Sequence, residues 1–471
     1  MLGRVSGMFR EITLARAFGV SAEADAAILL LTLPDLMIAL LLAGGLGAAL
    51  IPQLKRLAAA DQIVLFRKTV FAVVIFFAAI SAVLTLNVDF FVTLFAPGMS
   101  TERLKDFDIT LLLVGACIPI AAASGVFASF LNSRERFVVP AAGTLIFNGC
   151  LCFYFLFIAS LEAGILGVGF AVLAAVSLRL IWKMVVTREV FKPVVMTQNV
   201  SLRSIAPAFL NALGATIVIT GIPILFRSLT SYDGAGAIAI FNYIVRFYEL
   251  ALLILIAPLT TILLPYLSRL HAEKAPEFEQ LLATGFKITL IATITAVVAY
   301  YSTGLFFVEL LFSLANLPAE NTQQIYDMGR YLFLAIPFFS LSQILSVSQF
   351  ATGTSSRVLT ASLLAALVTI ATYISGIHVT LEFPIIGFIS LFNAVYFVLL
   401  LMRFDFRNQL LSKLKDDFHL LQLVLPILLL AGLVFLGLQT NSIILTLPLT
   451  VVTVAAIAFF FRKDIRRLKS F

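Results

Sequence analysis

Long apolar runs broken by short polar segments fill almost the whole of this 471-residue chain. A helix needs ~20 mainly apolar residues to cross a bilayer. Matching the runs to that length predicts fourteen spans. They lie near 3–20, 24–54, 63–95, 107–131, 137–160, 163–185, 205–229, 235–268, 281–313, 327–351, 357–377, 384–402, 418–438 and 441–461. The first run is the least apolar of the set. The pattern predicts an all-α membrane protein of about fourteen transmembrane helices.

Composition agrees with that pattern. The chain is 61% hydrophobic and 12% charged, whereas soluble domains carry about 25% charged residues. Its 32 Lys+Arg against 25 Asp+Glu leave a net charge of +7. The excess falls in alternate loops, which hold Lys55, Arg56, Arg67 and Lys68, then Arg134 and Arg136, then Lys183, Arg188, Lys192 and Arg203. The series continues through Arg269 and Lys274, Arg357, and Arg403 to Lys415, and ends in a basic tail. The opposite loops are nearly bare apart from Arg103 and Lys105. By the positive-inside rule both termini are cytoplasmic, as an even span count requires. The expected location is therefore a membrane that the chain crosses many times. No polar stretch is long enough for a nucleic-acid-binding domain, so nucleic acid is not an expected partner. The start does not read as a cleaved signal peptide, since it lacks an uninterrupted apolar core and a small-residue cleavage site.

A weak repeat divides the chain. ALIPQLKRLAA (49–59) is echoed by ILLPYLSRLHA (262–272), and FLNSRERF (130–137) by FATGTSSRV (350–358). Six spans separate the copies, so the halves have the same orientation and form parallel repeats, with a site expected where they face each other. The predicted organisation is a six-helix lobe over 1–200, a second over 201–415, and two extra helices with a basic tail over 416–471. Close helix packing is expected at GGLGAA (44–49), GILGVGFA (164–171) and GATIV (214–218), because small residues let membrane helices approach.

The candidate chemistry lies in charges at membrane depth. An ionisable group at the centre of a span costs ~2.5–3.5 kcal/mol on insertion scales, which makes it a functional-site hypothesis. Arg10 and Arg16 fall in the first span, six residues apart and therefore roughly 120° apart around a helix. They can line one broad cavity wall. The competing reading has Arg16 snorkelling to the headgroups and Arg10 pairing with Glu11 or Asp25. Arg246 and Glu249, at i and i+3 in FNYIVRFYELALL, share a face and can pair. A guanidinium binds phosphate oxygens in a two-pronged grip and keeps its charge, so a pyrophosphate is the expected negative partner. Hydrolase and nucleotide-binding motifs are absent from the sequence. His271, His378 and His419 fall near loops and read as solvated. Cys117, Cys150 and Cys152 sit in apolar runs, without the spacing of a metal site or a disulfide framework. The chain is read as a transporter without a cofactor.

RVSGMFREITLARAFGVSAEADA (4–26) resembles the opening of the MurJ/MviN lipid II flippases of the multidrug/oligosaccharidyl-lipid/polysaccharide exporter superfamily. LFAPGM (94–99), FLNSRERFVVPAAGTLIFN (130–148) and YIVRFYELALLILIAPLTTILLPYLSRL (243–270) extend the likeness in the family's order. The resemblance implies a monomeric flippase with two six-helix lobes. It would move an undecaprenyl-pyrophosphate-linked glycan between membrane lipids by alternating access, with the lipid tail in a groove of the last two helices. It assigns substrate contact to Arg10, Arg16, Arg246 and Glu249, with Asp25 beside them. The family's second helix usually carries basic residues followed by Glu-Gly; here Ile38 and Ala39 stand at the basic positions and Ala43 replaces the acid. An exopolysaccharide repeat unit therefore remains an alternative cargo. A drug/cation antiporter is the more distant alternative, since neither 205–229 nor 357–377 offers a carboxylate for a cation.

Overall fold

The computed structural model describes residues 2–38, 50–51, 53–54, 57–99, 107–159, 164–195, 206–275, 277–376 and 384–417. Several expectations fall outside these residues: the GGLGAA stretch, Ala39, Ala43, Pro52, the Lys55–Arg56 pair, Arg103, Lys105, His378, His419, and both spans beyond 417 with the basic tail. Every described element is helical, and no strand occurs among the described residues. Inter-residue contacts divide them into two compact units. One runs to Tyr243 and adds Leu314–Leu317; the other comprises Ile244–Ser313 and the described residues from Pro318 onward.

In the first unit the helices are α1 (Leu2–Phe18), α2 (Ala22–Ile38), α3 (Ala59–Thr85), α4 (Val88–Phe95) and α5 (Phe107–Ser133). Then follow α6 (Val138–Phe153, ending in a π-helical turn over Tyr154–Ile158), α7 (Gly164–Val186) and α8 (Ala206–Leu229). The central element is α5, which packs against α2, α3 and α7. Lipid surrounds the bundle, so close approach rather than water exclusion drives the packing. A Cβ on Gly115 would lie 2.6 Å from Thr85 Oγ1, and one on Gly169 would lie 2.9 Å from Thr110 Cγ2. Ser81 donates to the Gly115 carbonyl at 2.7 Å across the same α3–α5 seam. The LFAPGM turn closes against residue 231. The Gly98 amide donates to Ser231 Oγ at 2.8 Å, and a Cβ there would meet the Ser231 carbonyl carbon at 2.6 Å.

From α9 (Ala237–Leu255) the chain passes into the second unit. There follow α10 (Ala257–Ala272), α11 (Glu277–Ser313), α12 (Ala319–Phe333), α13 (Ile336–Ala351), α14 (Ser355–Ile374), α15 (Pro384–Met402) and α16 (Arg407–Asp417). The 37-residue α11 packs against α10, α12 and α13. A stacked aromatic group ties α11 to α12, with the Tyr300 and Phe333 ring centroids 3.8 Å apart.

Eleven of the first twelve expected spans coincide with a helix or a broken pair, and the second, 24–54, does so as far as Ile38, beyond which most of it lies outside the described residues. The run 63–95 divides at Leu86–Asn87, where Asn87 Oδ1 accepts from the Phe90 amide at 2.9 Å and starts α4 as an N-cap. The run 235–268 divides at Ile256, and Pro258 stands at the start of α10. The run 327–351 bends by 45° between α12 and α13, where Pro337 opens the second helix. Proline has no N–H to bond the preceding turn, so it is accommodated in a first helical turn and ends the helix before it. Among the described residues seven helices are long and apolar enough to cross a membrane, and the bent pair would add an eighth.

Candidate functional site

The first unit carries a charged cluster on α1, α2, α6, α7 and the start of α9. On α1, Arg10 is 2% exposed and Glu11 1%. Neither would be stable alone in so dry a setting, and each has partners. Arg10 Nη2 donates to Glu11 Oε1 at 2.7 Å. The same guanidinium grips Asp35 of α2 with two bonds, Nη2 to Oδ2 at 2.8 Å and Nη1 to Oδ1 at 3.3 Å. Its carbon lies 5.9 Å from the centre of the Phe147 ring on α6. The second oxygen of Glu11 accepts from Asn242 Nδ2 at 2.9 Å. One turn before Arg10 on α1, Ser6 Oγ accepts from Asn148 Nδ2 of α6 at 2.9 Å.

Two further cations lie behind this group. Arg179 and Lys183, at i and i+4 on α7, are buried. Arg179 donates to Thr144 Oγ1 at 3.3 Å and lies over the same Phe147 ring at 5.9 Å. Lys183 Nζ donates to the carbonyl and hydroxyl of Ser124, both at 2.8 Å. Gly143 makes room for both stems, since a Cβ there would stand 3.3 Å from Arg179 Cγ and from Lys183 Cε. Neither cation makes an ion pair among the described residues, although the charge of Asp35 acts on Arg179. Arg10 and Arg179 thus share the Phe147 ring beside Asp35, and Lys183 stands one turn along α7 from Arg179.

Asp25 serves a different purpose. Its oxygens accept from the backbone amides of Gly236 and Ala239, both at 2.7 Å, which caps the start of α9 from another helix. The turn between α1 and α2 docks at the same place. Gly19 (φ +63°) offers its carbonyl to Tyr243 Oη at 2.8 Å, and Gly236 (φ +88°) lies where a Cβ would meet Val20 Cγ1 at 2.3 Å. Arg16, in the last turn of α1, is exposed. Arg246 and Glu249 belong to the second unit. They pair at 2.9 Å with side chains 27% and 52% exposed.

The expected carboxylate partner of Arg10 is thus Glu11 together with Asp35, while Asp25 holds backbone. Asp35, Asn242 and Arg179 were not singled out from the sequence, and Lys183, read there as a loop cation, is instead buried within α7. Asp35 had a signal, an acid one residue after Pro34 in an apolar run. Arg179 and Lys183 had one too, two cations at helical spacing in SLRLIWK.

Comparison with known proteins agrees with this architecture. A family model described as lipid II flippase MurJ matches residues 14–454. The lipid II flippase MurJ of Burkholderia cenocepacia is 25% identical over 323 residues, covering 64% of this chain and 61% of that protein. The match therefore spans less than two thirds of that relative's length. A probable lipid II flippase MurJ of Rhizobium meliloti is 27% identical over 360 residues, covering 72% of this chain and 66% of that one. Among solved structures, lipid II flippase MurJ in an inward closed conformation superposes with a TM-score of 0.78 at 17% identity, over 98% of both chains. An inward-facing multidrug resistance MATE family transporter gives 0.68 at 15% identity, over 88% of this chain and 99% of that one. At those identities the structures speak for the fold alone. The sequence match along nearly the whole chain speaks for descent, and this protein belongs to the lipid II flippase MurJ family.

Proposed function

We propose that the chain moves lipid II, an undecaprenyl-pyrophosphate-linked cell-wall precursor, across the inner membrane by alternating access. The observation that carries this reading is Arg10. It is an arginine 2% exposed within a membrane protein, held by two carboxylates and sharing the Phe147 ring with a second buried arginine, Arg179. A merely structural helix gains little from such a group, whereas a phosphate-binding one needs it. The family is one of lipid II flippases, and several apolar helices make the chain a multi-pass inner-membrane protein.

In this reading Arg10, Arg16 and Arg246 contact the pyrophosphate. Glu249 orients Arg246, and Asp25 acts by holding the start of α9. Fourteen spans in two lobes, over 1–200 and 201–415, carry the headgroup, and the two helices beyond 416 hold the tail. Both termini are cytoplasmic, and the working unit is a monomer. The substitutions at Ile38, Ala39 and Ala43 favour one second reading, a flippase for an exopolysaccharide repeat unit.

Rescue of cells depleted of their lipid II flippase tests the proposal, scored by growth and by the sidedness of labelled lipid II. The wild-type chain should rescue, while Arg16→Ala and Arg246→Ala should fail at normal protein levels. Rescue by both variants would end their assigned roles. Failure of the wild-type chain to move lipid II in a strain that inserts it normally would favour the exopolysaccharide reading.

A further inference from the structure

Asp35 differs from its partners in how far it can move. Its side chain is 25% exposed, against 3% for Arg10 and 1% for Glu11. Glu11 is fixed from both sides, by Arg10 and by Asn242. Asp35 holds Arg10 through a two-oxygen grip. That is also the geometry in which a phosphate binds a guanidinium. An incoming phosphate would therefore compete with Asp35 rather than with Glu11. Leaving Arg10 would take a partly buried carboxylate away from its cation, a costly step unless another cation takes it. Arg179 lies over the same Phe147 ring as Arg10, both at 5.9 Å from its centre, feels the charge of Asp35, and makes no ion pair among the described residues. Lys183, one turn on, adds a second buried positive charge.

We propose that Asp35 is a resident competitor for the substrate's phosphate: it occupies Arg10 until an anionic headgroup displaces it, and Arg179, backed by Lys183, receives the displaced carboxylate. The proposal rests on the phosphate-binding role assigned to Arg10. It makes Asp35 and Arg179 positioning residues that exchange one ion pair for another, so no bare carboxylate is left behind when the headgroup arrives. The two carboxylates that face Arg10 then have separate duties. Glu11 anchors the guanidinium, and Asp35 guards it.

The test uses the full chain in lipid nanodiscs. Two probes are titrated separately, undecaprenyl pyrophosphate in the bilayer and inorganic pyrophosphate in the buffer. Asp35→Asn should bind the lipid probe on the order of tenfold tighter, the loss of one charge-assisted competitor. Asp35→Glu, which keeps the charge, should bind like wild type. Arg179→Gln should weaken binding several-fold, and Asp35→Asn/Arg179→Gln should match Asp35→Asn, because no displaced carboxylate then needs a host. Asp35→Ser carries the same test should the asparagine variant not fold. Unchanged or weaker binding in Asp35→Asn, or simple additivity in the double variant, would overturn the proposal. Tightening toward inorganic pyrophosphate alone would overturn a role in headgroup binding. Arg10→Gln separates the two levels of the reading. If it binds like wild type, the role of Arg10 itself falls. If it loses binding while Asp35→Asn is unchanged, only the competitor role falls.

Discussion

Arg10→Ala is the variant whose outcome follows most directly from the geometry. It removes a cation held by two carboxylates of very different exposure. Asp35 is 25% exposed, so it keeps part of its water and loses less than Glu11 does. Glu11 is 1% exposed. Without Arg10 its charge loses the ion pair at 2.7 Å, while the Asn242 amide still donates to it at 2.9 Å. Breaking a buried pair by removing one partner typically costs 3–5 kcal/mol, because the survivor is left uncompensated. Arg10→Ala should therefore lower unfolding free energy by about that much, measured by reversible denaturation in mixed micelles. Glu11→Gln placed in the same chain removes the stranded charge and keeps an oxygen for Asn242. The double variant should recover most of the stability, to within about 1 kcal/mol of wild type, since paired removal of buried partners can be nearly neutral. It should still fail to move substrate, because the guanidinium is gone. Equal stability of Arg10→Ala and Arg10→Ala/Glu11→Gln would refute the reasoning, for it would mean that Glu11 was never held by Arg10.

Other consequences are simpler. Arg246→Ala should change stability by no more than about 0.5 kcal/mol, because its pair with Glu249 is an exposed i,i+3 contact; the same micelle titration checks it, and transport should nonetheless fall. Asp25→Ala should cost about 0.5–2 kcal/mol as the lost cap of α9, and Asp25→Asn less, since one amide oxygen can still accept. Gly329→Ala should cost about 1–3 kcal/mol by overpacking, because its Cβ would lie 1.9 Å from Tyr300 Oη and 2.5 Å from Ile244 Cδ1. Adding Tyr300→Phe should return part of that loss, as read from the shift in melting temperature.

Much of the molecule was legible in the hydropathy pattern. The spans near 107–131 and 163–185 correspond to α5 and α7 within a few residues. The breaks were not read, although Pro258 and Pro337 were in plain view. A hydropathy sum counts transfer of side chains to lipid and does not register a missing backbone N–H. Arg10 and Glu11 stood out because charges are rare in such a chain. Their partners did not, because Asp35 lies 25 residues away and Asn242 lies 231 residues from Glu11. Local spacing gives no measure of contacts that long. Lys183 was read only as a loop charge and Arg179 not at all, and the burial of both against Gly143 follows from how α6 lies on α7.

The amino-acid sequence alone determined that this chain belongs in a membrane, where its helices run, and which cations lipid would not tolerate unaided. Those properties follow from transfer energies that add up residue by residue along the chain. The tertiary structure decided which carboxylate answers which arginine, which of them can yield, and that Asp25 holds backbone. Charge compensation depends on separation and on exclusion of water, and both are set only when helices distant in sequence pack together.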